Sequence, residues 1–192
     1  SLGAPRAVVP PRPTIPSFPK DGRLRVSAIE SDRFLGRGWG RPEEPFRWTE
    51  GHEAELLFRL DERRGRVLFV RLKPFLVSGR LDTQRVDVSI NGRPVAAWSL
   101  RAPGETVRSA FLPADALADE NVVSFGLPDA APPSRFTGGP DDRELAVAVE
   151  WADRRRPEAL PDTLDFTQAA AVPLLGEGWS RIEGPFRWTE GS

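Results

Sequence analysis

Short runs in which apolar and polar residues alternate one by one, each closed by turn residues, constrain this chain more than any other feature. A period of two places alternate side chains on opposite faces of an extended strand, and it does not suit an amphipathic helix, whose apolar positions recur every three to four residues. The run that opens at Glu53 sets Ala54, Leu56, Phe58 and Leu60 on one face and Glu53, Glu55 and Arg59 on the other. Residues 66–76 form a longer and more apolar run, as an interior strand requires, with Pro74 marking its end or an exposed edge. Val86, Val88 and Ile90 alternate with Asp87 and Ser89 up to Asn91-Gly92, and an apolar run follows over 95–100. Asn-Gly between two such runs specifies a two-residue type I′ hairpin, because both residues accept positive φ. Further strands are expected over 106–112, 121–127 and 144–151, one over 24–30 opens the module, and a single helical turn is expected over 113–117. Eight short strands in about 130 residues predict an all-β domain, a two-sheet antiparallel jelly-roll β-sandwich.

Two stretches interrupt the pattern. Residues 1–20 hold six prolines (Pro5, Pro10, Pro11, Pro13, Pro16 and Pro19), so an extended linker from something upstream is expected there. A charged stretch with two prolines, from Asp153 through Arg154, Arg155, Arg156 and Pro157 to Pro161, reads as a second, solvated linker. Across this break the chain repeats itself: residues 36–51 are GRGWGRPEEPFRWTEG and residues 176–191 are GEGWSRIEGPFRWTEG, identical at 12 of 16 positions. The offset of 140 residues is the size of a domain and far beyond the 20–50 residues of a solenoid repeat. The match extends weakly upstream, where Leu24 faces Leu164 and Leu35 faces Leu175. The domain plan is therefore a Pro-rich linker over 1–20, a β-sandwich module over 21–153, a linker over 154–163 and the start of a second copy over 164–192. On this plan Trp179, Phe186 and Trp188 of that second copy are expected to lack the strands they would pack on. The segment is expected to stay mobile, to dock on the complete module, or to replace its equivalent in a neighbouring chain as a domain-swapped homo-oligomer.

Composition removes several kinds of chemistry. The chain has no Cys, no Met and no Tyr, and His52 is its one imidazole. Thiol nucleophiles, disulfides and Cys-based zinc sites are excluded, and any Ser-His-acid mechanism would depend on His52 alone. With 27 Lys+Arg against 28 Asp+Glu, the net charge of −1 gives no footprint for nucleic acid, although nearly all the positive charge is Arg, Lys20 and Lys73 being the only lysines. No apolar run approaches the roughly 20 residues that span a bilayer, and no membrane insertion is expected. No cofactor is expected. In the long loop 128–143, Asp141 and Asp142 with Thr137 could hold a Ca²⁺; the alternative is a helix-free turn in which Asp142 caps backbone N–H groups and Arg143 pairs locally. Ser134-Arg135-Phe136 in the same loop is placed to border a groove.

Residues 85–127, a strand ending in Asn91-Gly92, a return strand, the turn FLPADAL and then NVVSF, are similar to the pattern of galactose-binding-like β-sandwiches. The span 36–151, with GWGRPEEPFRWTEGHEAELLF at one end and Asp142-Arg143-Glu144-Leu145 before the last strand, resembles a β-sandwich domain appended to bacterial glycosyltransferases and related envelope-glycan proteins. The resemblance implies an accessory module, without catalysis of its own, that binds carbohydrate or positions a catalytic domain. The partners it implies are a bacterial glycan and neighbouring domains of a larger parent protein, in the cell envelope or the cytoplasm.

Within the repeated motif, Trp39, Arg41, Glu43, Phe46, Arg47, Trp48 and Glu50 bring together the groups that hold sugars. An aromatic face packs on the C–H face of a pyranose, and Arg and carboxylate groups pair with its hydroxyls. The candidate ligand-binding set is Trp39, Arg41, Glu43, Arg47, Trp48 and Glu50. The competing reading makes Trp39 and Trp48 core plugs at one end of the sandwich, with Arg47 stacked on an indole and paired to a Glu. A purely structural spacer whose Arg/Glu-rich strand faces meet a partner domain is the functional alternative. Glu43 with Glu50 also supplies the two acids that glycosidase chemistry needs, although 28 acidic residues make such pairs inevitable by chance.

Overall fold

The computed structural model describes residues 14–19 and 22–156; the rest of the Pro-rich segment, residues 157–163 and the second motif copy over 164–192 lie outside the described residues. Ten strands run through the described chain: β1 (Arg23–Arg25), β2 (Trp39–Glu43), β3 (Phe46–Glu50), β4 (Glu53–Arg59), β5 (Arg66–Pro74), β6 (Gln84–Ile90), β7 (Arg93–Leu100), β8 (Thr106–Leu112), β9 (Glu120–Gly126) and β10 (Leu145–Arg155). They form two antiparallel sheets. One has the order β2-β3-β10-β5-β8 with β1 also on β10, and the other has the order β4-β9-β6-β7. The chain crosses between the sheets at β3–β4, β4–β5, β5–β6, β7–β8, β8–β9 and β9–β10, and the result is the jelly-roll sandwich that the alternation predicts.

The period-two pattern becomes the core directly. Ala54, Leu56 and Phe58 of β4, Val86, Val88 and Ile90 of β6, and Val123 and Phe125 of β9 face Leu68, Val70 and Leu72 of β5 and Val147 and Val149 of β10 in one buried cluster. β5 is buried on both faces over most of its length, as its unbroken apolar run requires, and Pro74 is its last residue. Ile90 pairs with Arg93 across the two-residue loop, where Asn91 has φ 50° and Gly92 φ 82°, the positive values that Asn-Gly is chosen for.

Several elements depart from the sequence expectation. β1 ends at Arg25 instead of continuing to 30: the Ala28 amide donates to the Arg25 carbonyl, the Ser31 hydroxyl donates to the same oxygen, and a 3-10 helix over Ile29–Phe34 follows. The helical turn expected over 113–117 is a 3-10 turn at Ala114–Ala116, and the loop read as helix-free carries α1 (Ser134–Thr137). β2 and β3 have no counterpart in the sequence reading, because Pro42, Pro45 and the neighbouring glycines demote a strand. β2 is an edge strand held only by β3, which is where a proline is tolerated.

Both linker readings also shift at their inner ends. Phe18 is only 6% exposed and packs edge-on against Phe34 and Phe58 at 6.2 and 5.7 Å, while the Arg59 amide donates to the Pro16 carbonyl at 2.8 Å. The last residues of the Pro-rich lead-in thus close one end of the sandwich. β10 runs through Arg155, pairing Arg154 with Leu68 and Arg155 with Val67, so these arginines belong to the sheet.

Candidate functional site

β10 is the spine on which the repeated motif is mounted. β5 lies along one edge of it, and β3 and β1 share the other edge end to end: Leu145, Ala148 and Val149 pair with β3, and 151–153 pair with β1. The β3–β10 ladder carries a bulge between Leu145 and Ala148. Val147, inside that bulge, keeps its hydrogen bonds through a side chain: the Thr49 hydroxyl donates to the Val147 carbonyl at 3.1 Å and accepts from the Val147 amide at 3.2 Å. Thr49 is fully buried. Its alternation partner Arg47 is also buried, with a side chain 7% exposed, and forms an ion pair at 2.7 Å with Asp32 of the 3-10 helix.

The other face of β3 carries Phe46, Trp48 and Glu50, away from the main core cluster. Lys73 Nζ sits 4.1 Å from the Phe46 ring and 5.9 Å from the Trp48 ring. Trp48 meets Phe75 edge-on at 6.4 Å, and Phe75 meets Phe136 of α1 at 6.0 Å. All three of these rings are half-buried. Arg80 fixes α1 by donating to the Phe136 and Arg135 carbonyls.

Trp39 begins β2 and is half-buried, packed against the core, with its indole N–H donating to the Glu55 carbonyl at 2.7 Å. One edge of the ring is thereby fixed. Gly38 makes this placement possible: its φ is 80°, and a Cβ there would stand 1.8 Å from the Glu53 carbonyl oxygen. Beside the indole an open groove of about 660 Å³ is lined by Trp39, Arg41, Pro42, Glu43, Glu50 and Arg143. Gly40 leaves room for the carboxylate of Glu50, whose Oε1 would lie 2.3 Å from a Cβ at that position.

Arg143 organises the acidic side of the groove. Its guanidinium donates to Glu43 at 2.7 Å and to both carboxylate oxygens of Asp141, at 3.0 and 2.8 Å, and Glu50 stands 3.7 Å away. Hydrogen bonds from Asp141 first and Glu43 second raise the Arg143 pKa well above its ordinary value, and the Arg143 guanidinium holds the Asp141 carboxyl below the usual carboxylate range. Arg41 is exposed and makes no ion pair among the described residues. An aromatic face flanked by two guanidinium groups and two carboxylates is equipped to pack on a sugar ring and exchange paired hydrogen bonds with its hydroxyls.

Of the six residues the sequence singles out, Trp39, Arg41, Glu43 and Glu50 meet at this groove. Arg47 and Trp48 do not line it: Arg47 points inward to Asp32, not to a Glu or an indole, and Trp48 joins the aromatic row with Phe75. Arg143 was legible only as a local pairing residue, and that pairing is real, but with Asp141, which also accepts from the Arg143 amide at 3.2 Å, in place of the expected cap by Asp142. Its reach across a hundred residues to Glu43 carries no sequence signal. Lys73 and Phe75 carry none either, and Ser134, Arg135 and Phe136, expected to border a groove, do not line this one; Phe136 packs against Phe75 instead. Among the described residues no three His, Cys, Asp or Glu side chains converge as a metal site. His52 contacts the Leu127 carbonyl through Nδ1 and Glu144 through Nε2, each at 3.1 Å.

No protein-family model matches the chain, and no curated protein matches it. Among solved structures, a carbohydrate-binding module CBM36 in complex with calcium and xylotriose aligns at 12% identity and TM-score 0.43, over 69% of this chain and 98% of that one. A native family 35 carbohydrate binding module from Clostridium thermocellum aligns at 10% identity and TM-score 0.35, over 62% of this chain and 86% of that one. An acetyl xylan esterase from the rumen bacterium Butyrivibrio proteoclasticus aligns at 17% identity and TM-score 0.41, over 68% of this chain and 31% of that one. The fold assignment itself rests on the strand pairing described above.

The pair of a buried Arg47 and an exposed Asp32 makes a prediction that separates its two members. Asp32→Ala leaves the buried Arg47 guanidinium without its carboxylate and, with Asp32 largely exposed to solvent, is expected to cost on the order of 1–2 kcal/mol in urea unfolding. Arg47→Met, which removes the buried charge itself, is expected to cost clearly less, and the double substitution less than Asp32→Ala alone. Equal losses for Asp32→Ala and Arg47→Met would show that packing, not charge, holds this contact.

Proposed function

We propose that residues 22–156 form a non-catalytic carbohydrate-binding accessory module, with the groove beside β2 as its ligand site. The observation that carries this reading is the half-buried Trp39 indole, held by its bond to the Glu55 carbonyl and bordering one open groove of about 660 Å³ with Arg41, Glu43, Glu50 and Arg143. A volume of that order accommodates one or two sugar rings. The ring is fixed before any ligand arrives, which lowers the entropy lost on binding. Resemblance to domains appended to bacterial glycosyltransferases and envelope-glycan proteins supports a bacterial glycan as the ligand. The spacer reading draws its support from Arg143, which satisfies Glu43 and Asp141 without any ligand.

Titration of intrinsic tryptophan fluorescence with a panel of bacterial polysaccharides tests the proposal. A saturable response is expected, weakened about tenfold or more in Arg41→Ala and Glu43→Gln, both of which should unfold at the wild-type temperature because their side chains are exposed. A flat response across the panel would favour the spacer.

The sequence repeat further supports a tandem set of such modules. The residues that anchor the first copy, Leu24, Phe46, Arg47 and Thr49, stand opposite Leu164, Phe186, Arg187 and Thr189 in the second. The second copy thus carries what is needed to lie along β10 of a neighbouring chain, which is the domain-swapped reading. Light scattering on the full chain should then show a concentration-dependent dimer that disappears when the chain is ended at Arg156. A monomer in both cases would remove the swap.

A further inference from the structure

At the far end of β10, roughly 30 Å from its first residue by strand rise, four arginines surround one cavity of about 320 Å³: Arg59 at the end of β4, Arg66 at the start of β5, Arg154 near the end of β10 and Arg156 just after it. Asp61 and Glu62 are the only carboxylates in its lining, which leaves a surplus of two positive charges. Glu62 is already engaged with Arg64 at 3.4 Å. Arg66 is itself buried, and its guanidinium donates to the Arg64 and Gly65 carbonyls, so its position is set by the backbone.

Arg154 is the informative member. Its backbone is locked by pairing with Leu68 and by a 2.9 Å hydrogen bond from its amide to the Gly22 carbonyl. Its guanidinium lies 5.4 Å from the centre of the Phe18 ring, and Phe18 is a core residue. Its Nε is buried with no hydrogen-bond partner, and among the described residues no carboxylate stands within ion-pair distance of it. Burial first, and then the neighbouring charge of Arg66, lower its pKa from the ordinary arginine value, while Asp61 acts in the opposite sense. Arg59 and Arg156 likewise make no ion pair among the described residues. Folding therefore gathers like charges around a partly desolvated guanidinium, an arrangement that is unfavourable by itself and is relieved by an anion.

We propose that this cavity is a binding site for a compact oxyanion, either free phosphate or the charged group of a substituted sugar. Arginine forks match such groups with paired, charge-assisted hydrogen bonds, and a cavity of this volume takes one such group with its immediate substituent. The site is separate from the groove beside β2 and does not depend on the reading of that groove.

Thermal unfolding of the full chain in sodium phosphate against sodium chloride of matched ionic strength tests the proposal. Phosphate is expected to raise Tm by about 3 °C with saturation, and the rise should vanish in Arg154→Met. In chloride Arg154→Met should keep or exceed the wild-type Tm, since it removes a charge without a carboxylate partner. Arg156→Gln, at the exposed end, should weaken the phosphate effect several-fold at unchanged Tm in chloride. Coincident curves in phosphate and chloride would overturn the site, as would a phosphate response that survives Arg154→Met. A loss of more than about 5 °C for Arg154→Met in chloride would also overturn it, because the guanidinium would then be compensated within the fold. Parallel titration with uronate- and sulfate-bearing oligosaccharides distinguishes the sources: binding at least tenfold tighter than phosphate assigns the site to a charged glycan, and weaker binding assigns it to the free ion.

Discussion

The attachment of β3 to β10 decides how the repeated motif is used. β10 carries a bulge where β3 meets it, and at that point the Thr49 hydroxyl supplies both the acceptor and the donor that the Val147 backbone needs. A buried amide and carbonyl left unpaired would each cost on the order of 1–3 kcal/mol. The clamp therefore fixes the register of β3, and because a strand alternates faces, it fixes every side chain on it. Arg47 turns inward to Asp32, and Phe46, Trp48 and Glu50 turn outward. β2, held only by β3, then brings Trp39, Arg41 and Glu43 to the groove.

Much of the sandwich was legible because its strands obey one rule. The inward residues of β4, β6 and β9 are the apolar members of clear alternations, and Asn91-Gly92 marks its hairpin by backbone chemistry alone. The motif hid its structure because its alternation is inverted. In Phe46-Arg47-Trp48-Thr49-Glu50 the aromatic residues look like the inward set, yet Arg47 and Thr49 are the ones that point into the sandwich. The inverted residues find partners outside the motif, Asp32 for one terminal nitrogen of Arg47 and Val147 for Thr49, while Lys73 and Phe75 cover the outward rings. Pairings of this kind leave no local pattern. For the same reason the groove was legible on the β2–β3 side and not on the Arg143 side, which arrives from the loop before β10.

β10 joins the two regions of interest. Its N-terminal end meets the groove, where guanidinium and carboxylate groups are balanced against each other around an indole. Its C-terminal end enters the arginine cavity, where positive charge is in excess. One strand thus ends in two regions of different charge, the first balanced and the second with positive charge in excess. The Phe18 ring ties the lead-in to this second end, so part of the Pro-rich segment belongs to the module.

The dependence of the β3 register on its inward residues, and not on the exposed residues of β2, is most directly tested by urea unfolding of Thr49→Val beside Glu43→Gln. Thr49→Val keeps the shape and removes the hydroxyl, so it should cost about 2 kcal/mol, whereas Glu43→Gln should stay within about 0.5 kcal/mol of the parent. Equal stability of all three chains would contradict the account, because the register of β3 would then not depend on the clamp at Val147.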